Sequence, residues 1–131
     1  MTRRVLVTGS REWKDYETIA RALDEAAPTE LAHGGAPGAD SLADRWGSEN
    51  GVPARAYDAN WSAYGKKAGF VRNQEMLDAF QPHLVIAFKD GFDYEMKSGG
   101  TEHMVKIAAE AGYEVKIIDR FKQQMGLFDD A

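Results

Sequence analysis

The chain has 131 residues, 44% hydrophobic and 28% charged, with 16 Lys and Arg against 21 Asp and Glu, a net charge of −5 and no cysteine. This is the size and composition of one soluble domain able to bury a core without staples, and the lack of cysteine excludes a disulfide framework and a Cys-ligated zinc site. The longest apolar runs, such as residues 84–88, fall far short of the ~20 residues that span a bilayer, and residues 1–7 lack the apolar centre of a signal peptide, so the expectation is a cytoplasmic protein without membrane contact.

In chain order, residues 3–8 read as a strand closed by Gly9, and 15–27 as a helix with Ile19, Ala22, Leu23 and Ala26 on one buried face, stopped by Pro28. Residues 30–33 form a short second strand that runs into Gly34-Gly35-Ala36-Pro37-Gly38. Ala39, Leu42, Ala43 and Trp46 then mark a helix ending near Gly51, and residues 54–57 a third strand. A loop carrying Trp61 and Tyr64 leads to a helix over 66–80 that turns Met76, Leu77 and Phe80 inward. Residues 83–88 are a continuous apolar strand of the kind covered on both faces. A polar loop, 89–100, precedes a helix over 101–111 and a fifth strand over 113–118. This alternation predicts a Rossmann-like three-layer α/β/α domain whose five-stranded, mainly parallel sheet is ordered 3-2-1-4-5. Ligands of such sheets bind beyond the carboxyl ends of the strands, where the order reverses.

The net charge argues against broad duplex contact, which needs a basic face. Its distribution is uneven. Residues 1–72 hold ten basic and ten acidic side chains, 73–131 hold six and eleven, and the stretch 59–73 carries Lys66, Lys67 and Arg72 without a carboxylate. A focused anionic ligand is therefore compatible with the acidic whole.

Two glycine-rich helix starts converge on the predicted crevice. The segment His33 to Asp40, with Gly34, Gly35 and Gly38, reads either as a tight turn with Asp40 capping a helix or as a loop whose amides and helix dipole hold an anion. Ser98-Gly99-Gly100-Thr101 offers the same pair of readings, with Thr101 as N-cap or as a hydroxyl toward phosphate. Neither is a GxGxxG or P-loop motif. Arg11 and Arg72 can clamp a phosphate. Trp61 and Tyr64 can stack on a base, or pack on the edge of the core. His33 and His103 read as polar contacts or structural groups, no spacing recommends a metal, and no Ser-His-Asp order is present.

Val7-Thr8-Gly9-Ser10-Arg11, then Asp15, the segment His33 to Asp40, Trp61, Ala68-Gly69-Phe70-Val71-Arg72-Asn73, Ala87-Phe88 and Gly99-Gly100-Thr101 together resemble the YspA-like branch of the SLOG superfamily, which includes the DNA-processing protein DprA and the LOG cytokinin phosphoribohydrolases. The resemblance runs from about Val5 to Ile118. It implies a crevice for a nucleotide, a nucleotide-derived ligand or single-stranded DNA. Ligand-facing positions would be Gly9, Ser10, Arg11, Gly34, Gly35, Gly38, Asp40, Arg72, Asn73, Gly99, Gly100 and Thr101. LOG enzymes cleave a ribosyl bond with an Arg and a Glu of a PGGxGTxEE motif. Arg72 matches that Arg, but here Glu102 directly follows Thr101 and His103 takes the register of the first Glu. A one-residue slip turns a side chain by about 100° around a helix. Binding is favoured, and a nucleoside-monophosphate phosphoribohydrolase using Arg72 with Glu102 or His103 is the alternative.

The domain is expected to occupy residues 1–119, followed by a tail, 120–131. Within the tail Gln124, Met125, Gly126, Leu127 and Phe128 resemble the pentapeptide by which bacterial replication and repair proteins dock on the sliding clamp. Gln124 would hydrogen-bond while Met125, Leu127 and Phe128 fill apolar pockets. Folding back onto the domain, or packing a homo-oligomer, is the other reading of these residues.

Overall fold

The computed structural model describes residues 1–122, so the clamp-like peptide with Gln124, Met125, Leu127 and Phe128 lies outside the described residues. The elements are β1 (Arg4–Gly9), α1 (Tyr16–Ala26), β2 (Glu30–His33), α2 (Ala39–Asn50), β3 (Ala54–Ala56), α3 (Trp61–Tyr64), a 3₁₀ turn (Gly65–Lys67), α4 (Ala68–Phe80), β4 (Leu84–Phe88), α5 (Gly100–Glu110) and β5 (Val115–Ile118). The strands form one sheet in the expected order, β3-β2-β1-β4-β5, and all four pairings are parallel.

Side chains of successive strand residues point to opposite faces, and the two layers of helices divide accordingly. Val5 and Val7 of β1 and Ile86 and Phe88 of β4 pack with Ile19, Leu23, Ala43 and Trp46 of α1 and α2. Leu6 and Val85 face the other way and pack with Met76, Leu77 and Phe80 of α4 and Met104 and Ala108 of α5. Every residue of β4 is buried, as its unbroken apolar run requires. The helices start and stop for local reasons. Asp15 caps α1 by accepting from the Thr18 amide at 3.1 Å, and Ala27 turns left-handed before Pro28 prevents continuation.

Residues 61–64 depart from the expected loop. Asn60 Oδ1 accepts from the Ala63 amide at 3.1 Å and starts a single helical turn, which Gly65 ends at φ +55°. The following 3₁₀ turn delays α4 to Ala68, two residues later than the periodicity indicates. Among the described residues, no helix is long and apolar enough to cross a membrane.

Beyond β5 the backbone stays bound to the domain past the expected boundary at 119. The guanidinium of Arg120 pairs with Asp90, after β4, and donates to Asp15, before α1, at 3.0 Å. It also lies 4.2 Å from the centre of the Trp13 ring, whose edge meets Phe88. One cation thus ties together the segments that leave the carboxyl ends of β1, β4 and β5.

Thr18 and Arg120 hold the Asp15 carboxyl below its ordinary pKa, and Arg120 does the same for Asp90. A depressed folded-state pKa stabilises above the unfolded value and is lost as pH falls through the folded one. Arg120→Ala should therefore lower the urea midpoint near neutral pH. The gap to wild type should narrow as the pH drops below the carboxylate range; a constant gap would show that the pairing contributes nothing.

Candidate functional site

The carboxyl ends of β1 and β4 open into a cleft of about 420 Å³. Its floor is backbone packed on backbone. A Cβ on Gly9 would stand 2.5 Å from Ala39 Cβ and 2.6 Å from Phe88 O, so only glycine lets β1 end against the start of α2. Ser10 N donates to Phe88 O at 2.9 Å and Ser10 O accepts from Ala39 N at 3.1 Å. Gly38, at φ +80°, lies against Ser10 O on the other side of this contact. Of the residues expected to meet a ligand, Gly9, Ser10, Arg11, Asp40, Arg72, Asn73, Gly100 and Thr101 line the cleft. Gly34, Gly35, Gly38, Gly99, Glu102 and His103 are not part of that lining.

The 34–38 loop differs from the reading in which Asp40 caps the helix. Asp40 sits inside the first turn of α2, not at its cap, and its Oδ2 accepts from the amides of Gly34 at 3.0 Å and Ala36 at 3.2 Å. The Gly35 amide donates to His33 Nδ1 at 3.0 Å, which leaves the ring proton on Nε2, 2.8 Å from Asp44. The protein's own groups thus occupy amides that the glycine pattern offered to an anion. Asp40 is buried, and its Oδ1 has no hydrogen-bond partner among the described residues. Burial raises its pKa, opposed by the Ala36 amide and by Arg72.

Arg72 and Asn73, in the second turn of α4, join three segments. Arg72 Nη1 donates to Gly34 O at 2.6 Å and to Tyr57 O at 3.2 Å, and its Nε donates to Asn73 Oδ1 at 3.1 Å. A guanidinium only donates, so the Asn73 oxygen must face it and the Asn73 amine must face away. That amine reaches Gly100 O and His103 Nδ1, both at 3.1 Å, which puts the His103 proton on Nε2. His103 also stacks on Phe70, and burial together with Lys106 lowers its pKa.

The second glycine-rich start supplies the open helix end. Gly99 is the N-cap of α5 at φ +103° and makes no side-chain capping bond; Thr101, buried in the first turn, is not the cap. The leading amides of a helix have no intrahelical partner and its dipole favours an anion. Gly100 and Thr101 bring that end to the cleft. Glu102 is 1% exposed; its carboxylate accepts from Lys89 Nζ at 2.8 Å and from the Asp93 amide at 3.0 Å. A Cβ on Gly99 would collide with Glu102 Oε1. Glu102 therefore anchors the 89–100 loop from inside the fold.

The cleft also takes in Lys66, Phe70 and Lys89, which were absent from the expected ligand-facing set, and Trp61, one of the two rings read as able to stack on a base; Tyr64, the other, is outside the lining. Lys66 lies in the carboxylate-free stretch and Lys89 directly follows β4, positions that point to the carboxyl end of the sheet. Arg11, Lys66, Arg72 and Lys89 face two lining carboxylates, Glu12 and Asp40. Among the described residues, no three His, Asp or Glu side chains gather as a metal site.

Residues 3–64 match the model of the YAcAr family, described as YspA, cpYpsA-related SLOG. The Gene 61 protein of Mycobacterium phage D29 is 44% identical over 123 residues, covering 86% of this chain and 94% of that protein. Among solved structures, DNA processing protein A (DprA) from Streptococcus pneumoniae aligns with a TM-score of 0.48 at 14% identity; the alignment spans 91% of this chain and 60% of that one.

Removing the Asp40 carboxylate leaves two loop amides without an acceptor. Asp40→Ala should cost about 1–3 kcal/mol in urea unfolding. Asp40→Asn keeps an oxygen for both amides and should cost less; equal losses would refute the loop-tethering role.

Proposed function

The chain belongs to the family of the phage D29 Gene 61 protein, and we propose that it is a SLOG protein whose cleft binds a nucleotide or nucleotide-derived anion. One observation carries the reading: Arg11, Lys66, Arg72 and Lys89 line one cleft together with the uncapped start of α5 at the carboxyl end of a parallel sheet. The cleft volume falls in the range of small-ligand sites. Arg11 is exposed and supplies the outer clamp. Arg72 is half-buried and supplies charge from the wall, while two of its nitrogens are engaged by carbonyl and amide oxygens. A short single strand of DNA presents the same phosphate chemistry and is the second ligand class.

Ligand binding is favoured over cleavage of an N-glycosidic bond. Glu102 is engaged by Lys89 and the Asp93 amide, and His103 is engaged by Asn73. Neither stands with Arg72 in the cleft lining. The clamp-docking role of Gln124, Met125, Leu127 and Phe128 rests on sequence alone; removal of residues 124–131 should abolish co-purification with a bacterial sliding clamp, and retention would refute it.

The binding reading is tested by calorimetry with nucleoside 5′-phosphates, NAD, ADP-ribose and a short oligodeoxynucleotide. At least one should bind, and Arg11→Ala should weaken it about tenfold or more, the worth of a charge-assisted hydrogen bond. Binding should also weaken as salt rises. No binding by any of these compounds, or binding indifferent to Arg11→Ala and Lys66→Ala, would overturn the proposal.

A further inference from the structure

The rim of the cleft keeps large rings in solvent. Trp61 and Phe70 are 55% and 47% exposed, whereas Trp13 and Trp46 are buried in the core. Exposing an indole forfeits the burial a large apolar side chain normally gains, and here the fold holds the rings outward by specific means. Asn60 caps the single turn that carries Trp61. A Cβ on Gly69 would meet Trp61 Cη2 at 3.9 Å, an ordinary contact distance, so the indole lies over the first turn of α4. Phe70 is the next residue, and both rings line the cleft.

Phe70 is backed from within. Its ring stacks on His103 with centroids 4.3 Å apart and planes at 29°, and Asn73 holds that imidazole through Nδ1. His103 belongs to α5, whose first turn lines the same cleft through Gly100 and Thr101. Lys66 lines the same cleft, in a stretch without a carboxylate from residue 59 to 73. Planar rings and a helix N-terminus with Arg11 in one cleft lining match the two ends of a nucleotide.

Resting on the binding function above, we propose that Trp61 and Phe70 form a base-stacking subsite: the ligand is a nucleoside 5′-phosphate unit whose base lies on these rings while its phosphate meets Arg11 and the first turn of α5. Stacking tolerates any base, because each has a π-face. The subsite therefore separates nucleotides from plain sugar phosphates more than it separates one base from another. His103 is a positioning residue beneath Phe70.

Calorimetry of wild type, Trp61→Ala, Phe70→Ala and Trp61→Phe with the four common nucleoside 5′-monophosphates, ribose 5-phosphate and an oligodeoxyadenylate tests the proposal. Trp61→Ala or Phe70→Ala should weaken the best-bound nucleotide about tenfold or more, leave ribose 5-phosphate unchanged, and spare Trp61→Phe. Nucleotide binding should quench the exposed-indole fluorescence of wild type and not that of Trp61→Phe. A monophosphate bound as tightly as the oligomer marks the free nucleotide as the source, and a tighter oligomer marks a single strand; both fit the subsite if Trp61→Ala weakens them. Nucleotide binding that survives both alanine variants but falls with Arg11→Ala overturns the stacking subsite and leaves the binding reading intact. Equal loss of nucleotide and ribose 5-phosphate also overturns it. Absence of any binding overturns both.

Discussion

Arg72 carries five N–H donors and no acceptor, so every polar atom that meets it must present a lone pair, and the fold brings three: Gly34 O, Tyr57 O and Asn73 Oδ1. That one-way demand orients the Asn73 amide, whose amine then reaches Gly100 O and His103. His103 in turn backs Phe70. The 34–38 loop, the end of β3, the start of α5 and the aromatic rim are thereby set relative to one another from two adjacent residues of α4. Asp40 complements the arrangement from the opposite side, holding the Gly34 and Ala36 amides and placing a carboxylate whose attraction opposes the desolvation of Arg72. Loss of either group would release the loop whose other end Ser10 O grips through Ala39 N.

Strand order and helix faces were legible because periodicity is a local consequence of burial. Val5 and Val7 alternate with Leu6 between the two helical layers, and the spaced residues of α1 are the ones that pack. The crevice followed from the order of strands. What did not follow were the identities of acceptors. The glycines of residues 34–38 looked available to an anion, but Asp40 and His33 fill several of those amides, a choice made by side-chain direction in three dimensions. Asn60 before a short aromatic segment was the available signal for α3. Glu102 was also readable in part: it shares a face with Val105 and Ala108 at three-residue spacing, and all three are buried. Its partners, Lys89 and the Asp93 amide, come from a loop with no period to read.

The acidic balance of the chain acquires a different meaning once these partners are known. Four carboxylates of residues 73–122, Asp90, Asp93, Glu102 and Asp119, serve as acceptors that hold the 89–100 loop and its neighbours. Asp93 accepts from the amides of Glu95 and Lys97, which hold its carboxyl below the usual range. Asp119 accepts from Gly91 and Phe121, Asp90 pairs with Arg120, and Glu102 pairs with Lys89. These groups fold the 89–100 loop and its neighbours, so their charge is met by N–H dipoles and cations instead of being directed into the cleft.

What remains toward the ligand is a small cationic wall within a chain of net charge −5. Long-range repulsion disfavours a long polyanion, whose many phosphates must pass the acidic surface, whereas one or two phosphates need only the local field of the cleft. Screening lengths of about 8 Å at physiological salt confine that field to the cleft itself. Charge alone would then select any small anion. If Trp61 and Phe70 stack on the ligand as proposed, their exposed rings add the requirement that the anion bring a flat apolar surface with it, and the two demands together describe a nucleotide more narrowly than either does.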